Sequence, residues 1–302
     1  MKKLLLIAVL WAAINTWAGA QVTATIKMES TGSGMSDIYG LGGGENNKLL
    51  DYAYLECTYN VKSLNDTLDT GGEGNTEEDI MKLLVGPKSS KFYSYKTYLC
   101  DSMLRADMVE GRPITMGAGS KYQMGECYVV YKDREKEKLI YTDKIMMERF
   151  RYEEELRPQN WEILEETKEI LGYECQKAVC DFRGRQYEAW FTWEIPVSEG
   201  PWKFTGLPGL IMNVADTEGH YSFQIAGIEK VDDLPVNYAD LQYHKTRRKD
   251  FLKTMHKYKA NPIEYMQNNS GAKVTVSTPD GSPVSLSDIN FMKYDFMERD
   301  YR

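Results

Sequence analysis

Three histidines, five cysteines and an abundance of carboxylates are the chain's reactive inventory, and none of them falls into a motif with a defined chemistry. His220, His244 and His256 stand too far apart to be a ligand pair, and H-E-x-x-H and G-x-S-x-G are both absent. Cys57, Cys100, Cys127, Cys175 and Cys180 include no C-x-x-C, so neither a redox pair nor a zinc knuckle is indicated. Cys175 with His220 is the one conceivable nucleophile and base, although a cysteine in an oxidising compartment is more often paired or buried. Glu153, Glu154, Glu155, Glu165 and Glu166 read as a solvated acidic face. Glycoside hydrolysis would need two carboxyls at a set separation, which a sequence does not give. Gly40–Gly44 (GLGGG) lacks the Lys and Ser/Thr of a phosphate loop and its strand and helix, and reads as a flexible loop. No metal, cofactor or catalytic residue is therefore assigned.

The densest feature is Trp190–Asn213, WFTWEIPVSEGPWKFTGLPGLIMN. It concentrates Trp190, Trp193, Trp202 and Phe204 among prolines and glycines that set the backbone at defined points. One reading is a rigid loop that plugs the sheet with aromatic bulk. The other is the rim of an apolar pocket, with Trp190, Trp193, Trp202, Phe204 and Leu207 as contact residues. Lys245–Lys259 is basic within an acidic chain, either a surface helix or a docking face for an acidic partner or anionic lipid.

The elements that carry these residues are mostly strands. Alternation predicts strands at Val22–Met28 and Leu55–Val61, separated by a Gly/Ser-rich loop at 30–47 and followed by a loop at 65–79. Ser89–Val109 has helical spacing. A run of hairpins follows: Cys127–Tyr131 with Leu139–Thr142, Cys175–Phe182 with Gln186–Trp193 about Arg183–Gly184, and Leu210–Ala215 with Tyr221–Gly227. A helix is expected from Thr246 as N-cap to about Lys259, stopped by Asn261–Pro262. The fold class expected is α+β, mainly β: a single curved, half-barrel-like antiparallel sheet with one or two flanking helices. The expected domains are a signal peptide at 1–20, a β-rich domain at 21–267 and a polar, weakly ordered tail at 268–302.

Lys2 and Lys3, the uncharged run Leu4–Ala18 and the small residues Ala18-Gly19-Ala20 form an export signal with cleavage before Gln21. The run is shorter than the roughly 20 apolar residues of a spanning helix, and no later stretch is suited to cross a membrane. With 37 Lys+Arg against 45 Asp+Glu, the net charge is −8, which argues against nucleic acid as a partner.

Gly206-Leu207-Pro208-Gly209-Leu210-Ile211, with Cys175-Gln176-Lys177-Ala178, Phe182-Arg183-Gly184-Arg185 and Gly200-Pro201-Trp202-Lys203-Phe204, resembles the GLPGLI family of exported proteins, found chiefly in Bacteroidetes. The resemblance implies a periplasmic or outer-surface protein and brings no established activity. Cys180 departs from the family pattern, which raises a disulfide with Cys57, Cys100 or Cys127. Asp66-Thr67-Leu68 and Asp101-Ser102-Met103 look similar to the O-glycosylation signal used on exported proteins of that phylum. More distantly, the hairpin and the Gly-Leu-Pro-Gly-Leu strand resemble the half-barrel of lipoprotein carriers. The function expected is non-enzymatic binding of an apolar ligand or a periplasmic or outer-membrane partner. An accessory role in an outer-membrane assembly and an enzyme of unknown type are the alternatives.

Overall fold

In the computed structural model, the described residues are 23–27, 47–64, 76–114, 120–146, 148–270, 273–277, 283–284 and 294–301. The export signal, the Gly-rich loop and Thr67 lie outside them. The strands are β1 (Thr23–Lys27), β2 (Asn47–Leu64), β3 (Thr76–Val85), β4 (Ser89–Ser94), β5 (Val129–Asp133), β6 (Lys138–Ile145), β7 (Glu148–Glu155) and β8 (Glu162–Ile170). They continue as β9 (Tyr173–Phe182), β10 (Arg185–Thr192), β11 (Leu210–Asp216), β12 (Tyr221–Ala239), β13 (His244–Lys245), β14 (Lys273–Ser277) and β15 (Pro283–Val284). The helices are α1 (Tyr95–Val109), α2 (Arg248–Ala260) and α3 (Pro262–Ser270).

The fold is mainly β. Twelve strands form one sheet in the order β13-β7-β6-β5-β4-β3-β2-β12-β11-β10-β9-β8, antiparallel except for the short parallel pair β13–β7. A sheet this wide cannot stay flat. Glu154 on β7, near one end of the order, forms an ion pair with Arg183 in the β9–β10 turn, near the other end. The sheet therefore curls back on itself around its main apolar core, while Ala53, Leu84, Tyr93, Tyr131 and Tyr238 belong to a separate, smaller cluster. The side chains of that core come from β2 to β7 and β9 to β12, with Phe251, Leu252 and Met255 of α2 laid across it. The expected single sheet is supplemented by a second, small one, β1-β14-β15, which draws residues 273–277 of the polar tail into pairing.

Local chemistry explains where the elements differ from expectation. The helix expected at Ser89–Val109 is split: Ser89–Ser94 pairs with β3 and β5, and Ser94 then caps α1 by accepting the Thr97 N–H. The loop expected at 65–79 gives way to β3 at Thr76. α2 starts at Arg248 with no side-chain cap from Thr246 or Arg247. Pro262 ends α2 and opens α3, where a proline costs no hydrogen bond, and Asn261 caps α3 through the Glu264 N–H. All five cysteines are free, which corrects the expected disulfide. Ser102 sits in α1 and donates to the Tyr98 carbonyl. No helix among the described residues is long and apolar enough to cross a membrane.

Candidate functional site

The aromatic loop between β10 and β11 folds inward. Trp202, Phe204 and Leu207 are 1%, 0% and 1% exposed, and the Trp202 and Phe204 rings meet edge-on at 5.3 Å. Phe204 also lies 4.8 Å from Tyr187 of β10. Gly209 permits the closeness, since a Cβ there would stand 1.9 Å from the Thr192 carbonyl oxygen. Of the expected contact residues only Trp190 and Trp193 reach solvent, and they do not share a site with the other three. Trp193 is 54% exposed and donates its indole N–H to Gln176. Trp190 is half-buried with the Lys168 ammonium 4.0 Å from its ring centroid. The expected rim is a plug, and its bulk is core.

Two buried lysines hold that plug. Lys132 of β5 donates to Glu199 (3.1 Å) and to the carbonyls of Gly200 (2.8 Å) and Phe204 (2.6 Å). Ser90 and Arg134 complete Glu199. Lys203 reaches Tyr152, Glu154 and Glu298. Glu154, expected on a solvated face, is thus a hub that also meets Arg183 and Arg248.

Glu298 belongs to the C-terminal segment 294–301, which packs into the fold. Asp295 meets Arg185, His220 and Arg299, and Asp300 meets Arg248 and Arg183. Against burial, which raises it, the Arg299 and Arg185 bonds hold the Asp295 carboxyl well below the usual carboxylate range. Asp216, Glu218 and His220 place ligand atoms within 4.8 Å of one another, a spacing that could hold a cation. The Arg185 and Arg299 guanidiniums already occupy those acids, so the charge is met by the protein itself.

A different set of polar groups includes one incomplete member, the Tyr128 hydroxyl. The register Val129↔Thr142 sets Tyr128 beside Asp143 across the β5–β6 hairpin. The Tyr128 ring stacks on Tyr141 (5.7 Å), and Tyr141 stacks on Tyr152 (4.8 Å). Tyr128 is 5% exposed, and its Oη has no hydrogen-bond partner among the described residues. Glu126, Asp79 and Asp143 are the charges that act on it, beyond the effect of burial itself. Asp79 is committed to the backbone, accepting the Glu126 N–H at 2.7 Å. Gly125 permits that approach, since a Cβ there would lie 2.2 Å from an Asp79 oxygen. Asp143 accepts from the Lys144 N–H (2.7 Å) and the Tyr141 hydroxyl (3.1 Å).

Burial, with Lys259 opposing, pushes the Glu126 carboxyl up to about 8; burial likewise lifts Asp143 to about 6. Glu126, Cys127, Asp143 and Lys259 are each half-buried. Lys259 of α2 lies 4.3 Å from the ring centroid of Tyr294. At neutral pH the cluster thus presents a protonated Glu126, an ionised Asp143, an ammonium and a free phenol, a mixture of donors and acceptors. Sequence reasoning found the hairpin but not the cluster. The signal available was that register: it carries Tyr128 and Asp143 to the same place.

A family model described as the N-terminal domain of an N-glycanase peptide matches residues 125–254, less than half of the chain. Two solved structures of PNGF-II, in different crystal forms, align with TM-scores of 0.46 and 0.45 at 16% identity. They cover 66% and 68% of this chain, but only 32% and 33% of their own. The chain therefore spans about a third of the length of those structures. No curated protein matches. Over residues 125–254, which include Glu126, Tyr128 and Asp143, the chain is similar to a domain that forms part of an enzyme.

Proposed function

We propose that this is a non-enzymatic, exported binding protein whose ligand is hydroxyl-rich, of the glycan class, and is taken by the cluster around Tyr128. The observation that carries this reading is the Tyr128 hydroxyl, buried and without a hydrogen-bond partner among the described residues. An unpaired buried hydroxyl costs on the order of 1–3 kcal/mol, which a ligand's hydroxyl would recover. Carboxyl groups, a phenol and an ammonium at one place suit a ligand that both donates and accepts. Tyr258 and Tyr294 add apolar faces beside Lys259. The similarity of residues 125–254 to a domain of an N-glycanase supports the glycan class. A polar ligand replaces the expected apolar one because Trp202, Phe204 and Leu207 are spent on the core.

The test is calorimetric titration with an N-glycosylated peptide and with the same peptide lacking its glycan. Saturable binding to the glycopeptide alone is expected, weakened about fivefold in Tyr128→Phe, the equivalent of one hydrogen bond of about 1 kcal/mol. Equal affinity for both peptides, or an unchanged affinity in the variant, would refute it.

One observation favours a second reading. Glu126 at about 8 and Asp143 at about 6 are carboxyls held in different protonation states at neutral pH, the arrangement of a general acid and a general base. Release of free saccharide from the glycopeptide, abolished by Glu126→Gln, would establish it. Intact glycopeptide after prolonged incubation would exclude it.

A further inference from the structure

We infer that Lys91 of β4 is a covalent binding site for a small uncharged aldehyde, which its amine takes up as an imine beneath a ribbon folded over the outer face of the sheet. The site is independent of the Tyr128 cluster, which belongs to the core on the opposite face. Alternation along the strands separates the two faces. Phe92 and Val130 point into the main core, whereas Tyr93 and Tyr131 belong to the smaller outer cluster. Lys91 shares that outer face, paired with Leu84 of β3 on one side and Tyr131 of β5 on the other.

The cover is the far half of the long β2–β12 ribbon. Residues 47–53 of β2 pair with 234–239 of β12, beyond a register shift between Lys230 and Leu234 where Asp233 takes a φ of 53°. Such an irregularity bends a ribbon. Tyr238 of β12 then meets Tyr131 of β5 with ring centroids 5.1 Å apart. Four strand steps separate β12 from β5 in the sheet, about 19 Å at the usual strand spacing, so the contact exists only because the ribbon lies across the outer face. Asp51 tacks the ribbon down, accepting the N–H groups of Lys88 (2.7 Å) and Ser89 (2.9 Å) where β4 begins.

Three lysines are buried among the described residues, and one of them is treated differently. Lys132 and Lys203 each meet carboxylates. The side chain of Lys91, 7% exposed, makes no hydrogen bond or ion pair among the described residues. Its Nζ has rings about it instead, 4.8 Å from the centroid of Tyr93 and 5.8 Å from that of Tyr131. The acids on the same cross-strand row are already taken, Glu56 by Lys82 and Glu153 by Lys138 and Arg151. With no anion to hold its proton, the amine is pushed down by burial to about 8. At pH 7.4 about a fifth of it is unprotonated, against about a thousandth of an exposed lysine. Desolvation between apolar walls is what makes a lysine a nucleophile. The lone pair adds to the carbonyl carbon and a proton passes from nitrogen to the carbonyl oxygen. Loss of that hydroxyl with the second amine proton, as water, leaves the imine, and no oxidant or reductant is consumed. The flanking rings favour a flat, apolar body on the aldehyde.

The experiment treats the full folded chain at pH 7.4 with benzaldehyde and sodium cyanoborohydride, which reduces an imine to a stable amine, and locates the adducts by peptide mass mapping. Lys88 and Lys136, whose side chains are 59% and 71% exposed, are the internal references. Lys91 should be modified on the order of tenfold faster than either, the gain in free amine less what crowding takes back. Its rate should also saturate with benzaldehyde, because the ring is held before the bond forms. Modification no faster than at Lys88 and Lys136, or confined to urea-unfolded protein, would overturn the site. A rate that stays linear in benzaldehyde would do the same, since it would mark a basic amine with no place for the ligand. Lys91→Arg keeps the charge and should lose that adduct alone. The rates on the unaltered chain decide the matter whether or not this variant folds.

Discussion

Lys132 and Tyr128 lie on and just before the same strand, β5, both are buried, and their polar atoms are treated in opposite ways. The Lys132 ammonium donates to one carboxylate and two carbonyls of the aromatic loop; the Tyr128 hydroxyl has no hydrogen-bond partner among the described residues. A buried charge is tolerable only when its partners are complete, and here completion turns the loop from a flexible rim into part of the scaffold. An incomplete buried hydroxyl in a neighbourhood of half-buried acids carries a standing cost that a ligand can remove. The aromatic loop is the region the protein uses to hold itself together, and the Tyr128 cluster is the region it leaves available.

The largest effects should fall on the scaffold. Lys132→Met strips Glu199 of its ammonium and leaves the Gly200 and Phe204 carbonyls unpaired, and should cost about 3–5 kcal/mol by denaturant unfolding. Trp202→Ala should cost a similar ~3–5 kcal/mol, because a fully buried indole leaves a cavity that the plug cannot close. A loss below about 1 kcal/mol in either would erase the distinction between the two regions.

The next effect is one of pH and belongs to the cluster. The folded-state pKa of Glu126, about 8, lies above its unfolded value of roughly 4.3. Between those values the folded state binds the extra proton, so stability is full below about pH 4 and falls as pH rises toward 8. Asp143, raised to about 6, adds to the loss over a narrower window. Glu126→Gln should flatten the fall in stability between pH 6 and 8, measured as urea midpoints. A slope identical to that of the parent would remove Glu126 as its source. The smallest effect is expected at Trp193, 54% exposed, where Ala should change stability by less than about 0.5 kcal/mol.

Much of the fold was legible because it is written in local patterns. Period-two alternation and the Arg183–Gly184 turn located β9 and β10, and the charged run after Tyr131 located the β5–β6 hairpin. What was not legible depended on distant partners. Glu154 looks like one acid in a run of acids until Lys203, Arg183 and Arg248 are brought to it by the curl of the sheet. Residues 294–301 read as polar tail from their composition, whereas Glu298 is buried among three cations, Arg183, Lys203 and Arg248. Trp202, Phe204 and Leu207 stand out by their setting in the sequence, but composition does not say whether an aromatic residue lines a pocket or fills one. Lys259 acts on Glu126 because α2, packed into the core through Phe251, Leu252 and Met255, carries it there.

The measurement that bears most directly on the contrast is paired unfolding and binding of Tyr128→Phe. Removing only the unpartnered hydroxyl should leave the protein as stable as before or up to about 2 kcal/mol more stable, while weakening glycopeptide binding about fivefold. A variant that loses stability and keeps its affinity would contradict the account, because the hydroxyl would then serve the scaffold.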